Sequence, residues 1–223
     1  MTGGALAWRI LACHVMRSSP ISPGRLAPRA RSRYDRRNRR RSRPLDSAME
    51  AKLREMIDRH EIYQVMLRYG RGLDRVDNDL ARSCYWDDAI EDHGRFIGSP
   101  DDFIPWADRV TLAFQSTTHS IMNHWCDLDG DDAHTETYYM FTGVAAQAPH
   151  LMSTGRYVDH FQKRGGEWRI ANRVTVVDGT YALDDHASAA LPSPYAPGEH
   201  PATRDRNDVS YQRPLRPRPI PAK

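Results

Sequence analysis

At Thr117 the spacing of apolar residues changes period, and that change constrains the fold more than any motif does. Upstream, placing residues 53 to 74 at about 100° per residue gathers Met56, Ile62, Val65, Met66, Tyr69 and Leu73 on one broad arc, the mark of an amphipathic helix. Downstream, segments 118–128, 133–146, 151–163 and 167–178 are rich in Val, Ile, Thr, Tyr, Phe and Trp and read as strands. Asp129-Gly130-Asp131, Ala148-Pro149 and Arg164-Gly165-Gly166 supply the turns between them. Long strands joined by tight turns make an antiparallel meander. Helices first and strands afterwards define an α+β domain whose sheet curls over the helices.

Between the long helix and the meander the punctuation is dense. Asp77, Asn78 and Asp79 open a short second helix over LARSCYW, and Asp87 and Asp88 end it. Ala89 to Ile97 alternates weakly as a strand, and Gly98-Ser99-Pro100 turns into a third helix, DDFIPWADRVTLAF, with Pro105 in its first turn. At 223 residues, 39% of them apolar, the chain is long enough for one sizeable core.

The net charge of +3 conceals two unlike regions. Residues 1–48 hold twelve Arg against Asp35 and Asp46, a net of +10, which leaves the remainder at −7. This arm has few apolar residues and no period, so it is not expected to fold alone. Its composition is open to four readings: a phosphate-binding arm, a transit peptide, a signal peptide around Ala5 to Met16, or upstream sequence ahead of a working start at Met49. The folded domain is expected over 49–186. Residues 187–223, with eight Pro, read as a disordered tail. Cys13, Cys84 and Cys126 show no paired spacing, which argues against a disulfide framework or thiolate metal site and for a reducing, cytoplasmic setting. No apolar run reaches bilayer length, and neither a membrane nor a nucleic-acid partner is expected.

One residue conflicts with the apolar arc. Asp74 lies inside it, and a carboxylate on the buried side of a helix is costly unless something hydrogen-bonds to it. Strand parity puts His119, Ile121, Asn123 and Trp125 on one face of segment 118–128, toward the helices. His119 is therefore the candidate partner of Asp74. A carboxylate on one imidazole nitrogen fixes the tautomer and makes the other nitrogen a stronger base. His119 and His124 fall on opposite faces, which argues against a metal site, and no Gly-rich phosphate loop or serine-nucleophile motif is present.

The stretches LDRVDNDLARSCYWDDAIEDHGRFIG, TTHSIMNH, DLDGDDAHTETYYMF and EWRIANRVTVVDG together resemble the SnoaL-like branch of the NTF2-like superfamily over roughly residues 50 to 185. Within it the chain is similar to scytalone dehydratase, hexachlorocyclohexane dehydrochlorinase and the bile-acid 7α-dehydratase. The resemblance implies a cone-shaped α+β half-barrel with a deep pocket, assembled as a trimer or dimer. It also implies that Asp74 and His119 form a catalytic dyad, that Tyr69 is the tyrosine five residues before the Asp, and that Arg173 is the arginine of the last strand. The dehydrochlorinase has Lys where Tyr69 stands. Glu136 is the candidate for a further carboxylate on a middle strand.

The implied chemistry is β-elimination without a cofactor from a small polycyclic, steroid-like or polyketide-like substrate. His119 removes a proton, Asp74 steadies the imidazolium, Tyr69 protonates the leaving group and Arg173 stabilises negative charge. Tyr85, Trp86, Asn123, Trp125 and Tyr138 are the candidate substrate contacts. Other readings stay open at this point. Asp74 and His119 could be a satisfied buried pair, Tyr69, Tyr85 and Trp86 plain core, and Arg173 solvated with Arg169, which has the same parity. Tyr69 and Asp74 stand about 140° apart on an ideal wheel. His93 and Asp92 read as surface. An isomerase or hydrolase, or a non-catalytic assembly subunit like the small subunit of ring-hydroxylating dioxygenases, would use the same fold.

Overall fold

The computed structural model describes residues 46–184, 203–215 and 217. The Arg-rich arm up to residue 45 and the first part of the C-terminal segment lie outside the described residues. The elements run α1 (Ser47–Arg75), α2 (Asn78–Arg82), β1 (Tyr85–Asp92), β2 (Ile97–Gly98), α3 (Pro100–Thr111), β3 (Ser116–Asp129), β4 (Asp132–Val144), β5 (His150–Arg164) and β6 (Glu167–Leu183). A 3-10 turn, Val209–Tyr211, follows. The strands form a curved, unclosed sheet in the order β2-β1-β6-β5-β4-β3. β3 to β6 pair antiparallel as a meander, whereas β1 joins β6 parallel, which makes the sheet mixed. This is the NTF2-like half-barrel.

Helix α1 starts where Asp46 caps the Met49 N–H. Its apolar arc, Ile62, Val65, Met66, Tyr69 and Leu73, packs against Phe161, Trp168, Ile170 and Tyr157 on the inner face of the sheet. Two glycines let the end of the helix come close. A Cβ on Gly70 would stand 3.2 Å from His119 Cβ, and one on Gly72 would collide with the Ala81 backbone nitrogen at 2.7 Å. The chain leaves α1 at Val76, whose φ of 52° is strained for a β-branched residue.

Several boundaries differ from the expectation. The second helix stops at Arg82, and Tyr85 and Trp86 open β1 instead of continuing it, since Tyr85 pairs with Ile170 of β6. Helix α3 begins at Pro100 under a Ser99 cap, so Pro105 lies in its second turn. Residues 203–215, read as tail from their proline content, instead pack on the end of α1. Arg204 donates to the carbonyls of Leu73, Asp74, Thr111 and Phe114, and the Tyr211 hydroxyl donates to Asp77. Composition counts prolines and misses two well-placed side chains.

Asp58 ties α1 to the β5–β6 hairpin by accepting from Lys163 Nζ at 2.6 Å and the Trp168 indole at 2.8 Å. Burial pushes its carboxyl up, but these donors outweigh burial and hold it below its usual 3.8. The unfolded chain therefore takes up this proton first as pH falls. The stabilisation is complete above about pH 4 and is lost as pH drops through the lowered folded value. Urea unfolding of Asp58→Asn should show lower stability at neutral pH and a flatter loss of stability below pH 4 than the unsubstituted chain.

Candidate active site

Asp74 sits on the last turn of α1, only 7% exposed, facing the start of β3. Its Oδ1 is 2.7 Å from His119 Nδ1 and accepts from the Thr117 hydroxyl at 3.0 Å, while Oδ2 accepts the His119 backbone N–H at 2.8 Å. A carboxylate needs this many donors to be buried. His119 gives its Nδ1 proton to Asp74, and among the described residues nothing bonds to Nε2. That nitrogen is left for a ligand, and His119 lines both a shallow depression beside Asp74, Arg71 and Arg75 and an apolar cavity. Phe141, with its ring centroid 4.9 Å from that of His119, fixes the imidazole from the side.

The cavity has a volume of about 170 Å³. Its walls include Leu73, Phe103, Trp106, Tyr139, Phe141 and Tyr157, with His119, His93, Ser153 and Thr111 as the polar members. A larger depression, about 450 Å³, lies between the α1–α2 turn and the 203–215 segment. Its lining of Arg75, Asp77, Asp79, Arg204 and Arg206 is charged, with Asp77 and Arg206 paired at 3.1 Å. Lacking an imidazole or an apolar wall, it is not the candidate site. Among the described residues no three His, Cys, Asp or Glu side chains converge as metal ligands would.

Of the expected site residues, the structure brings Asp74 and His119 together and puts the others elsewhere. Tyr69 is fully buried in the core, its hydroxyl without a hydrogen-bond partner, and it does not line the cavity. Burial raises its phenol well above the usual range, which makes it a poor proton donor. Arg173 faces inward, not outward with Arg169, because β6 bulges between Ile170 and Asn172 and the parity flips. It is 1% exposed, bound to Asp159 through Nε at 2.6 Å and Nη2 at 2.8 Å, and lies 4.2 Å and 4.3 Å over the rings of Tyr69 and Tyr157. Burial opposes its charge, but Asp159, Tyr85 and Glu91 more than restore it. Covered in this way, Arg173 packs against Tyr69 and the cavity-lining Tyr157 and is not itself among the residues that line the cavity. Its carboxylate partner is Asp159. Glu136 is on the outer face, paired with Arg156 at 3.0 Å.

The candidate substrate contacts need the same correction. A bulge between Ile121 and His124 reverses the parity of β3, so Asn123 and Trp125 point outward, Trp125 61% exposed, and His124 and Cys126 turn inward. Tyr138 is 39% exposed on the same outer face, and its neighbour Tyr139 lines the cavity. Trp86 lies outside the cavity, donating to the Gln162 carbonyl, with the guanidiniums of Arg164 and Arg169 over its ring. Tyr85 is buried behind the cavity, its hydroxyl donating to Glu91 at 2.7 Å.

Sequence reasoning passed over Glu91 and read His93, with Asp92, as surface. Glu91 is fully buried and 2.8 Å from His93 Nδ1, and His93 lines the cavity beside Phe103 and Trp106. The signal was present. Ala89, Glu91 and His93 have the same strand parity, and Ala89 and Glu91 are buried.

With this geometry in hand the chain can be placed. Residues 54–174 match the SnoaL-like domain family, and the chain belongs to it. No protein of curated function matches the sequence. Among solved structures it resembles a hexachlorocyclohexane dehydrochlorinase, LinA-type3, of Novosphingobium barchaimii, at 16% identity and a TM-score of 0.55 over 59% of this chain and 94% of that one. A protein of Novosphingobium aromaticivorans assigned as a scytalone dehydratase is 17% identical with a TM-score of 0.53, over 58% of this chain and 93% of that one. Rv3472 of Mycobacterium tuberculosis, of unknown function, is 21% identical with a TM-score of 0.52, over 64% of this chain and 82% of that one. At these identities the likeness speaks to the fold.

Removing one half of the buried Asp159–Arg173 pair strands the other. Asp159→Ala should cost about 3–5 kcal/mol in urea unfolding, and the double change Asp159→Leu with Arg173→Met should recover most of it.

Proposed function

We propose that the chain is a cofactor-independent lyase acting on a small cyclic substrate. Asp74 orients His119, whose free Nε2 takes a proton from a carbon made acidic by an adjacent carbonyl or unsaturated system. The C–H electron pair becomes the new C=C bond, and the leaving group departs with its own pair from the neighbouring carbon. The Asp74 carboxylate stabilises the imidazolium that forms, without taking its proton. The observation that carries this reading is the 2.7 Å contact between Asp74 Oδ1 and His119 Nδ1 at the wall of a half-open, mostly apolar cavity. Structural neighbours whose names describe a dehydrochlorinase and a dehydratase support it.

Cavity size narrows the substrate. About 170 Å³ is near the roughly 150 Å³ that holds a benzene ring and below the roughly 300–1,000 Å³ of pockets for drug-sized ligands. A one-ring substrate, or one ring of a fused pair, fits better than the steroid-like molecule expected from the sequence. Buried Cys84 and half-buried Cys126 are free thiols. No helix among the described residues is long and apolar enough to cross a membrane.

Cyclic β-hydroxy ketones, followed by enone absorbance, and γ-hexachlorocyclohexane, followed by chloride release, are the test substrates. His119→Gln should lower turnover by about 10²–10⁴-fold with an unchanged unfolding curve, and Asp74→Asn should lower it as well. Full activity in His119→Gln, or an inert unsubstituted chain across both classes, overturns the reading.

Met122, Trp125, Tyr138, Val158 and Val174 are exposed on the sheet face opposite α1, around the Glu136–Arg156 pair, and we propose that this mixed face meets a second copy of the chain. Trp125→Glu should shift the sedimentation coefficient toward that of a monomer while leaving the cavity intact.

A further inference from the structure

The cavity wall carries a second imidazole mounted like the first. His93 Nδ1 is 2.8 Å from Glu91 Oε1 and 3.1 Å from the Thr175 hydroxyl, so its Nε2 is the nitrogen left for a ligand. Phe103 and Trp106, at centroid distances of 5.2 and 5.5 Å, hold the ring in place. Glu91 is wholly buried on a strand end, an expensive place for a carboxylate whose only task is structural. We propose that His93, charged and held by Glu91, is the proton donor of the site and delivers its Nε2 proton to the leaving oxygen of an alcohol substrate. This rests on the lyase reading and adds the half that His119 alone leaves undone, since hydroxide is a poor leaving group at neutral pH.

The two pairs differ in their electrostatic surroundings, and the difference assigns the roles. Around His119, the charges of Asp74 and Asp208 are offset by Arg204, which donates to the Asp74 carbonyl, and by Arg75, 3.8 Å from Asp208. Around His93, among the described residues, Glu91 and Asp159 share Arg173, which pairs with Asp159 and reaches Glu91 through the Tyr85 hydroxyl at 3.3 Å, while burial pushes the Asp159 carboxyl up. No guanidinium or ammonium among the described residues pairs with Glu91, so a protonated His93 is the cation placed to meet its charge. The cavity's tyrosines compete poorly as donors, because burial pushes the phenols of Tyr139 and Tyr157 up. In the step itself His119 accepts the carbon-bound proton, and the C–O bond breaks with its electrons on oxygen. That oxygen takes the His93 proton and leaves as water. His119 then holds one proton more and His93 one fewer, and exchange with solvent resets both.

Two readouts on the full chain test this. The first is the loss of water from 3-hydroxycyclohexanone, and the second is α-deuterium exchange of cyclohexanone in D₂O, which needs a base and has no leaving group. His93→Gln should lower elimination at least about 100-fold and leave exchange within about threefold, whereas His119→Gln should lower both. Equal losses in the two reactions, or none, overturn the role of His93 and leave the lyase reading standing. An unsubstituted chain inert in both overturns the lyase reading and this inference with it. Should His93→Gln fail to fold, titration of the unsubstituted chain with phenol decides. The ¹³Cε1 signals of His93 and His119, assigned through contacts to Phe103, Trp106 and Phe141, should both move, and a shift confined to His119 removes His93 from the site.

Discussion

A carboxylate buried at the wrong end of a helix is the constraint around which this domain is built. The carbonyl end of α1 carries partial negative charge and disfavours Asp74 there. Three donors from the first residues of β3 make it tolerable, two of them from His119 alone. Because one of those is a backbone N–H, the same carboxylate that orients the imidazole also fixes the strand register against the helix. Gly70 leaves the space that this approach requires. The remaining charge at the helix end is met by Arg204, whose guanidinium covers the carbonyls of Leu73 and Asp74. The 203–215 segment thus takes part in the electrostatics of the site without touching the cavity.

A second buried network runs Asp159, Arg173, Tyr85, Glu91, His93, crossing β5, β6 and β1. Each member satisfies the next, which is what allows two carboxylates and a guanidinium to stand in a core of Tyr69, Tyr157, Phe161 and Ile170. Its geometry depends on the parallel pairing of β1 with β6, which puts Glu91 beside Arg173. The sheet is mixed at the point where it must carry this chain of contacts.

The helix, the meander and the Asp74–His119 contact were legible in the sequence because each follows from a single unbroken period. Asp74 violates the helical arc, and His119 is early enough in β3 that counting by two still holds. Past Ile121 the count fails, since one bulge turns Trp125 out and His124 in. The bulge at Ala171 does the same between Arg169 and Arg173. A bulge has no sequence signature here: no glycine marks either one. Glu91 and His93 were hidden for another reason. Ile90 suggests that the opposite parity is buried, yet it is 51% exposed and the charged residue is the one inside. Only the network waiting on β6 explains that inversion.

The cavity's own lining then sets a limit on what enters it. Among the described residues lining it there is no Lys, Arg, Asp or Glu. Arg173, the residue expected to stabilise negative charge, is enclosed by Asp159 and three tyrosine rings. An anionic substrate would therefore give up its hydration with only imidazoles and a few hydroxyls to replace it, a loss of several kcal/mol that a pocket of this size has little apolar surface to offset. A neutral ring exchanges water for Phe103, Trp106 and Phe141 at no such cost. The same apolar lining strengthens each carboxylate's hold on its imidazole, so a lining that excludes charge from the substrate also concentrates it on the two side chains proposed to move protons.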